Sequence, residues 1–164
     1  MDAAPALPYA KLLTDLEGLR GFILAKLEPV SARDALRVLP GARNHLHWHL
    51  GHMLYVQGSA LHARAGDEAP VPKSFRPYFS FGTSPADYDS LVPDWEELLA
   101  RAKSMSRGLV DLHAPRAAMP LLKPIRLMGI SAATVGEAIP FLLVHEGDHL
   151  SRIKQMTSAI ALAR

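Results

Sequence analysis

Cysteine is missing from the chain altogether, with none in 164 residues. That absence excludes disulfides, iron–sulfur clusters, thiolate zinc sites and cysteine nucleophiles. A chain of this length can bury a core without such staples. Long apolar runs are missing too. The longest, Ala138 to Val144, falls far short of the roughly 20 residues that span a bilayer, so no membrane segment is expected. Charge of one sign is scarce: 18 Lys and Arg stand against 16 Asp and Glu, a formal net charge of +2. The basic residues are scattered rather than striped, so nucleic acid is not an expected partner. Met1 to Pro8 begins with Asp2 and has no basic stretch ahead of an apolar one. No secretory leader is read there, and the expected location is cytoplasmic. Hydrophobic residues at 49% and charged residues at 21% place the chain among folded globular proteins. One domain over residues 1–164 is expected.

What is present is helical periodicity. Tyr9, Leu12, Leu13, Leu16, Ile23 and Leu27 recur at the spacing of one buried helix face, with Pro8 suited to its start and Pro29 to its stop. Gly18 and Gly21 lie inside this helix, each costing about 1 kcal/mol against alanine, which predicts close approach by a neighbouring helix. Ser31 caps a short turn. A second long helix is expected from an Asn44 cap to Ala65, with Gly66 at its C-terminal end. Residues 67–93 carry five prolines and form a long connection, with one helical turn after Ser84–Pro85. A third helix starts near Pro93 or Asp94. Its buried stripe runs through Trp95, Leu98, Leu99, Ala102, Met105, Leu109 and Leu112. Residues 114–133 are irregular, with an extended stretch allowed from Leu121 to Ile130. Thr134-Val135-Gly136-Glu137 has the form of a capping box. The fourth helix it opens reaches about Ala161, with a kink or later start expected from Pro140. No convincing period-two strand is seen. The expected fold is all-α, a four-helix bundle with long crossover connections.

The second abundance is histidine, eight residues in all. His45, His47, His49 and His52 cluster on helix two, and His145 and His149 sit on helix four. Random placement would give well under one pair at four-residue spacing, whereas the chain has two, His45/His49 and His145/His149. Residues four apart share a helix face. His145 and His149 therefore converge, and they interrupt a stripe otherwise formed by Ala138, Leu142, Ile153 and Met156. His45, His49 and His52 share a face of helix two. Buried imidazoles need partners for their ring nitrogens. Two on one helix and one or more on another can satisfy each other through a divalent metal. Hydrogen-bonded core histidines are the bland alternative. Residues 145–149 also have the H-E-x-x-H form, with Glu146 where a zinc protease places its base. A protease needs a substrate-binding strand as well, and none is read, so that activity is set aside.

Two blocks carry a family resemblance. Asn44-His45-Leu46-His47-Trp48-His49-Leu50-Gly51-His52 is similar to the W-x-L-G/A-H segment of the DinB/YfiT-like superfamily of metal-dependent proteins. Thr134-Val135-Gly136-Glu137-Ala138, continuing through His145-Glu146-Gly147-Asp148-His149, resembles that family's final helix. The likeness spans about residues 8 to 160. It implies a DinB-like bundle with a metal triad of His52, His145 and His149, in which His49 is the rival for the first position. Gly51 would relieve crowding near the metal. His45, His49, Glu146 and Arg152 become candidates for a supporting or substrate-side role. Glu146 and Asp148 are expected off the metal face, and Arg152 could meet a substrate carboxylate. His62 and His113, near helix ends, are expected to face solvent.

The implied cofactor is a divalent ion, with zinc or nickel favoured and iron or manganese also accommodated. Three neutral nitrogens would leave a coordination position open. The implied activity is metal-dependent transfer or hydrolysis on a small molecule. The first guess is S-transfer with a low-molecular-weight thiol such as bacillithiol, mycothiol or glutathione. The alternative is a non-catalytic stress-induced metal-binding or protein-interaction protein. A homodimer is compatible with the resemblance.

Overall fold

A computed structural model describes residues 9–127 and 129–163. Its architecture is mostly helical, with one small sheet. Helix α1 spans Tyr9–Leu27, and the short α2, Ala32–Ala35, follows a Ser31 cap whose side chain accepts from the Asp34 amide. Helix α3 is Leu46–Leu61, α4 is Arg76–Phe79 and α5 is Trp95–Met105. The five-residue α6, Leu109–His113, precedes a hairpin of β1, Pro120–Leu127, and β2, Ile130–Thr134. The chain then runs through α7, Val135–Leu162. Helix α7 packs on both α1 and α3, α3 on α5, and α5 on α1. No helix among the described residues is long and apolar enough to cross a membrane.

Most element positions agree with the periodicity, and the departures have local causes. The α3 cap is His45 rather than Asn44: its backbone is extended, and its Nδ1 accepts from the Trp48 amide at 3.1 Å. Imidazole nitrogen here does the work expected of an amide oxygen. Helix α3 stops at Leu61, short of Ala65, and a 3-10 turn over Ala63–Ala65 carries the chain to Gly66. The third long helix ends at Met105, because Gly108 adopts φ 67 and restarts the chain as α6. That break rotates Leu112 out of the expected stripe, leaving it half exposed. The turn after Ser84 forms as expected, over Pro85–Asp87. Pro8 lies outside the described residues.

The hairpin is the largest correction. Its strands pair antiparallel, with Ile125 opposite Ala132 and Leu127 opposite Ile130, and the register is irregular between Pro120 and Ile125. Only Leu121 and Ile125 of β1 are buried, a spacing of four with Pro124 between them, so no alternation was there to read. β2 delivers the chain directly into α7. Thr134 Oγ1 accepts from the Glu137 amide at 3.2 Å, as a capping box requires, but the Glu137 carboxylate takes the Ala133 amide at 2.7 Å instead of that of Thr134. Helix α7 continues through Pro140 without interruption. Ala138, Ile139, Phe141 and Leu142 are buried on both sides of it, and that packing outweighs the one hydrogen bond a proline forfeits.

The core divides into two apolar clusters. One gathers Ile23 and Leu27 of α1, Leu50 and Met53 of α3, and Ile153 and Met156 of α7. The other gathers Leu13 and Leu16, Val56 and Ala60, and Ala138 and Leu142 of the same three helices. Between them each helix buries polar side chains: Arg20 on α1, His52 and Gln57 on α3, and His145, Glu146 and His149 on α7.

The helix glycines separate into two kinds. Around Gly18 and Gly21 nothing lies within 4 Å of where a Cβ would stand, so no neighbouring helix approaches there and the expected compensation is absent. A Cβ on Gly51 would instead collide with one edge of the Phe79 ring. Gly51 therefore makes room for Phe79 rather than for a metal. Gly21→Ala should raise stability by about 0.5–1 kcal/mol through helix propensity, whereas Gly51→Ala should lower it by about 1–3 kcal/mol through overpacking. Urea denaturation of the two variants measures both signs.

Candidate metal centre

The face shared by His145 and His149 turns toward α3, where His52 meets it. One nitrogen from each of the three rings lies within 4.8 Å of the others. His145 Nε2 is 3.1 Å from His52 Nε2 and 3.3 Å from His149 Nε2. His52 Nδ1 stands 2.7 Å from the Phe79 carbonyl oxygen. A carbonyl only accepts, so His52 carries its proton on Nδ1 and presents a bare lone pair at Nε2. His149 Nδ1 lies 2.8 Å from His49 Nδ1, on the side of the ring away from the cluster. That leaves His149 Nε2 directed at the same point as the other two.

All three rings are buried, and burial disfavours the imidazolium in each. His52 and His149 are lowered from the usual histidine range, and His145 is lowered to about 3. For His145 and His149 the neighbouring imidazoles add to the effect of burial. Three imidazoles kept neutral and crowded with their Nε2 atoms together are a donor set that a divalent cation could satisfy. The surroundings are aromatic. Trp48 stacks on His52 with centroids 4.5 Å apart, and Phe141 lies nearly parallel to His145 at 5.7 Å. Phe81 meets His52 edge-on at 4.9 Å.

The other residues singled out in the sequence fall in different places. His49 meets the triad through His149, whereas His52 is the α3 histidine whose Nε2 lies beside that of His145. His45 is spent on capping α3. His47 is buried between the Tyr88 hydroxyl at 2.9 Å and the Pro93 carbonyl oxygen at 2.8 Å. Arg152 pairs with Asp148 at 3.0 Å, and both are exposed. Arg152 also lines a cavity of about 730 Å³ with Arg37, Arg43, Asn44 and His49. Glu146 does point off the triad, but into the protein rather than toward water. It is fully buried against Arg20 of α1. Arg20 Nε donates to Glu146 Oε2 at 2.9 Å, Nη2 donates to Oε1, and Nη2 also reaches Gln57 Oε1 at 2.7 Å. A carboxylate committed to a guanidinium fork is not a free base, which removes the protease reading on firmer ground than a missing strand. His113 corrects the expectation of solvent exposure. It is fully buried, its ring 5.0 Å from that of half-buried His62, and neither of its ring nitrogens has a hydrogen-bond partner among the described residues.

Arg20 was not foreseen, though a signal was present. Leu13, Leu16, Arg20, Ile23 and Leu27 keep one 3-and-4 spacing, and a charge in mid-stripe requires a buried partner.

The family model of the DinB superfamily matches residues 15–153, a span containing all three histidines. The chain belongs to that superfamily. No curated protein matches it.

Two outcomes follow from these burials. Glu146→Ala leaves the Arg20 charge buried without its partner and should cost about 3–5 kcal/mol, while Arg20→Met with Glu146→Leu should recover much of that loss. Urea denaturation of the single and double variants decides it. Burial, aided by His62 and Arg116, holds His113 down at about 4 against the usual 6.5. The folded state therefore binds fewer protons than the unfolded one in that interval. The His113 contribution is present in full above pH 6.5 and is lost as pH falls toward 4. Stability measured across that window should fall less steeply in His113→Phe than in the parent chain.

Proposed function

We propose that this DinB-superfamily protein holds one divalent metal ion through His52, His145 and His149 and serves metal-dependent transfer or hydrolysis on a small molecule. The long helices α1, α3, α5 and α7 are read as the expected four-helix bundle carrying that site. The observation that supports the reading is the convergence of three buried Nε2 atoms, two of them on rings aimed from behind. The Phe79 carbonyl fixes the His52 tautomer, and His49 takes the far nitrogen of His149. Such partners set ring orientation and ligand basicity.

When bound, the ion would act as a Lewis acid and would lower the pKa of a water or thiol. The chain's own part is to keep the imidazoles neutral, to exclude water with Trp48 and Phe141, and to leave one side of the donor set without a protein ligand. A soft thiolate suits zinc or nickel held by imidazole, so thiol-dependent transfer is the first activity to test.

A second reading has its own support. The three rings are almost wholly buried, as they would be in a metal-binding protein without catalysis. Reactivity of the metal-loaded protein toward thiols and electrophiles separates the two.

The test of the site is metal content after purification without a histidine tag and without added metal. The parent chain should carry close to one ion, and His52→Ala, His145→Ala and His149→Ala should each lose it. Metal content unchanged in all three variants would refute the site.

A further inference from the structure

Two cavities flank the triad, and they offer a ligand different things. The larger opens beyond His49 and meets the triad only through that ring, behind His149. Its three arginines are engaged. Arg37 pairs with Asp34 at 3.4 Å, Arg152 pairs with Asp148 at 3.0 Å, and Arg43 donates to the Gly82 carbonyl at 3.2 Å.

The smaller cavity, about 390 Å³, lies between the hairpin, the C-terminal half of α3 and the segment after α4. Phe81 and Phe141 form its wall toward the triad. The Phe81 ring is 4.9 Å from that of His52 and 5.9 Å from that of His145. Phe141 lies 5.7 Å from His145, and Tyr55 extends the aromatic lining. Arg64, Arg76 and Arg126 line the remainder, and no carboxylate does. Arg64 is held by the carbonyls of Lys123 and Pro124. Arg76 and Arg126 have no ion pair or side-chain hydrogen bond among the described residues. Phe81 is 52% exposed, an apolar ring left in water at this mouth.

We infer that the smaller cavity is the substrate pocket and that it takes a small organic anion with a planar apolar body. The body packs against Phe81 and Phe141, and the anionic group pairs with Arg76 and Arg126. Guanidinium supplies paired donors that match a carboxylate, and a ring face beside an exposed phenylalanine removes apolar surface from water. A volume near the lower end of ligand pockets, which run from about 300 to 1,000 Å³, admits one or two fused rings and excludes a polymer. The inference rests on the proposed metal site, because that site supplies the chemistry the bound molecule would undergo.

The probe is 2-naphthoate, titrated into the full chain and followed by its fluorescence, with neutral 2-naphthamide as its isostere. Three proteins are compared: the parent, Arg76→Gln with Arg126→Gln, and Arg37→Gln with Arg152→Gln. All four positions are exposed, so the fold is undisturbed, and circular dichroism checks this. One naphthoate should bind per parent chain. The Arg76/Arg126 pair should weaken it at least about tenfold, the Arg37/Arg152 pair by roughly twofold or less, and the amide should bind far more weakly than the acid. No binding by the parent, indifference to Arg76 and Arg126, or loss in the Arg37/Arg152 variant instead would overturn the assignment. Metal content measured on the same samples keeps the two readings apart. Arginine-dependent binding to a chain without metal leaves the pocket standing and removes the metal site. A metal-loaded chain that ignores naphthoate does the reverse.

Discussion

The Arg20–Glu146 pair is the contact on which the geometry of the site depends. Glu146 follows His145 in sequence, so successive positions of α7 face two different helices. The carboxylate locks to α1, and the imidazoles one position earlier and three later turn to α3. Rotating α7 enough to re-aim the histidines would pull Glu146 off Arg20 and strand two charges in the core. A well-packed apolar pair would hold the two helices at least as tightly. What the ion pair adds is a direction, because a two-pronged guanidinium–carboxylate contact has one good orientation. Gln57 ties α3 into the same network by accepting from Arg20 and donating to the Met105 carbonyl at 3.0 Å. The three helices that supply or aim the triad are thereby referenced to one point.

That point lies in a polar layer between two apolar clusters. The clusters provide the burial, and the layer provides the chemistry. Each imidazole in it is depressed chiefly by loss of solvent and stays neutral at physiological pH. Neutral, oriented nitrogens are the form a metal needs, and preparing them in advance avoids competition with protons. The same dryness makes every unpartnered polar atom expensive. His145 Nδ1 is one such atom. It is tolerated under the Phe141 face, where the ring packs even though its nitrogen does not bond.

Much of this was legible in the sequence. His145 and His149 share a face by spacing alone, and the apolar stripes locate three of the four long helices to within a few residues, while the third ends at Met105 instead of running on through Leu112. The triad as a set is what the family resemblance implies, and the structure brings those three rings together. The failures have a common origin in tertiary context. Periodicity says that a residue is buried but not against what, so Glu146 was read off the metal face without its partner Arg20. A hairpin whose first strand contains two prolines and buries every fourth residue leaves no period-two trace. His113 was read from its place at a helix end, where solvent is the usual neighbour, and here the restart after Gly108 turns it inward. Gly18 and Gly21 suggest a close helix contact, while the close contacts are at Gly51, against Phe79, and at Gly136, against Tyr9.

Access to the triad is then a question of which covering ring can move. Trp48 belongs to α3 and Phe141 to α7, and both are buried. Displacing either would disturb a helix face that the core holds on several sides. Phe81 sits instead on the turn from Ser80 to Thr83, closed by the Thr83 amide donating to the Ser80 carbonyl at 3.2 Å. Gly82 follows it at φ 87, a left-handed value that glycine adopts without strain. The turn is pinned at one end, where the Trp48 indole donates to Thr83 Oγ1 at 3.1 Å. The Phe81 side chain projects from the middle of it and remains half in water. Of the three covering rings it is the one that belongs to a turn rather than to a long helix, and it stands over the His52–His145 side of the cluster. The pinned end ties that turn to Trp48, the ring stacked on His52, so the cover and the α3 ligand candidate are referenced to the same side chain.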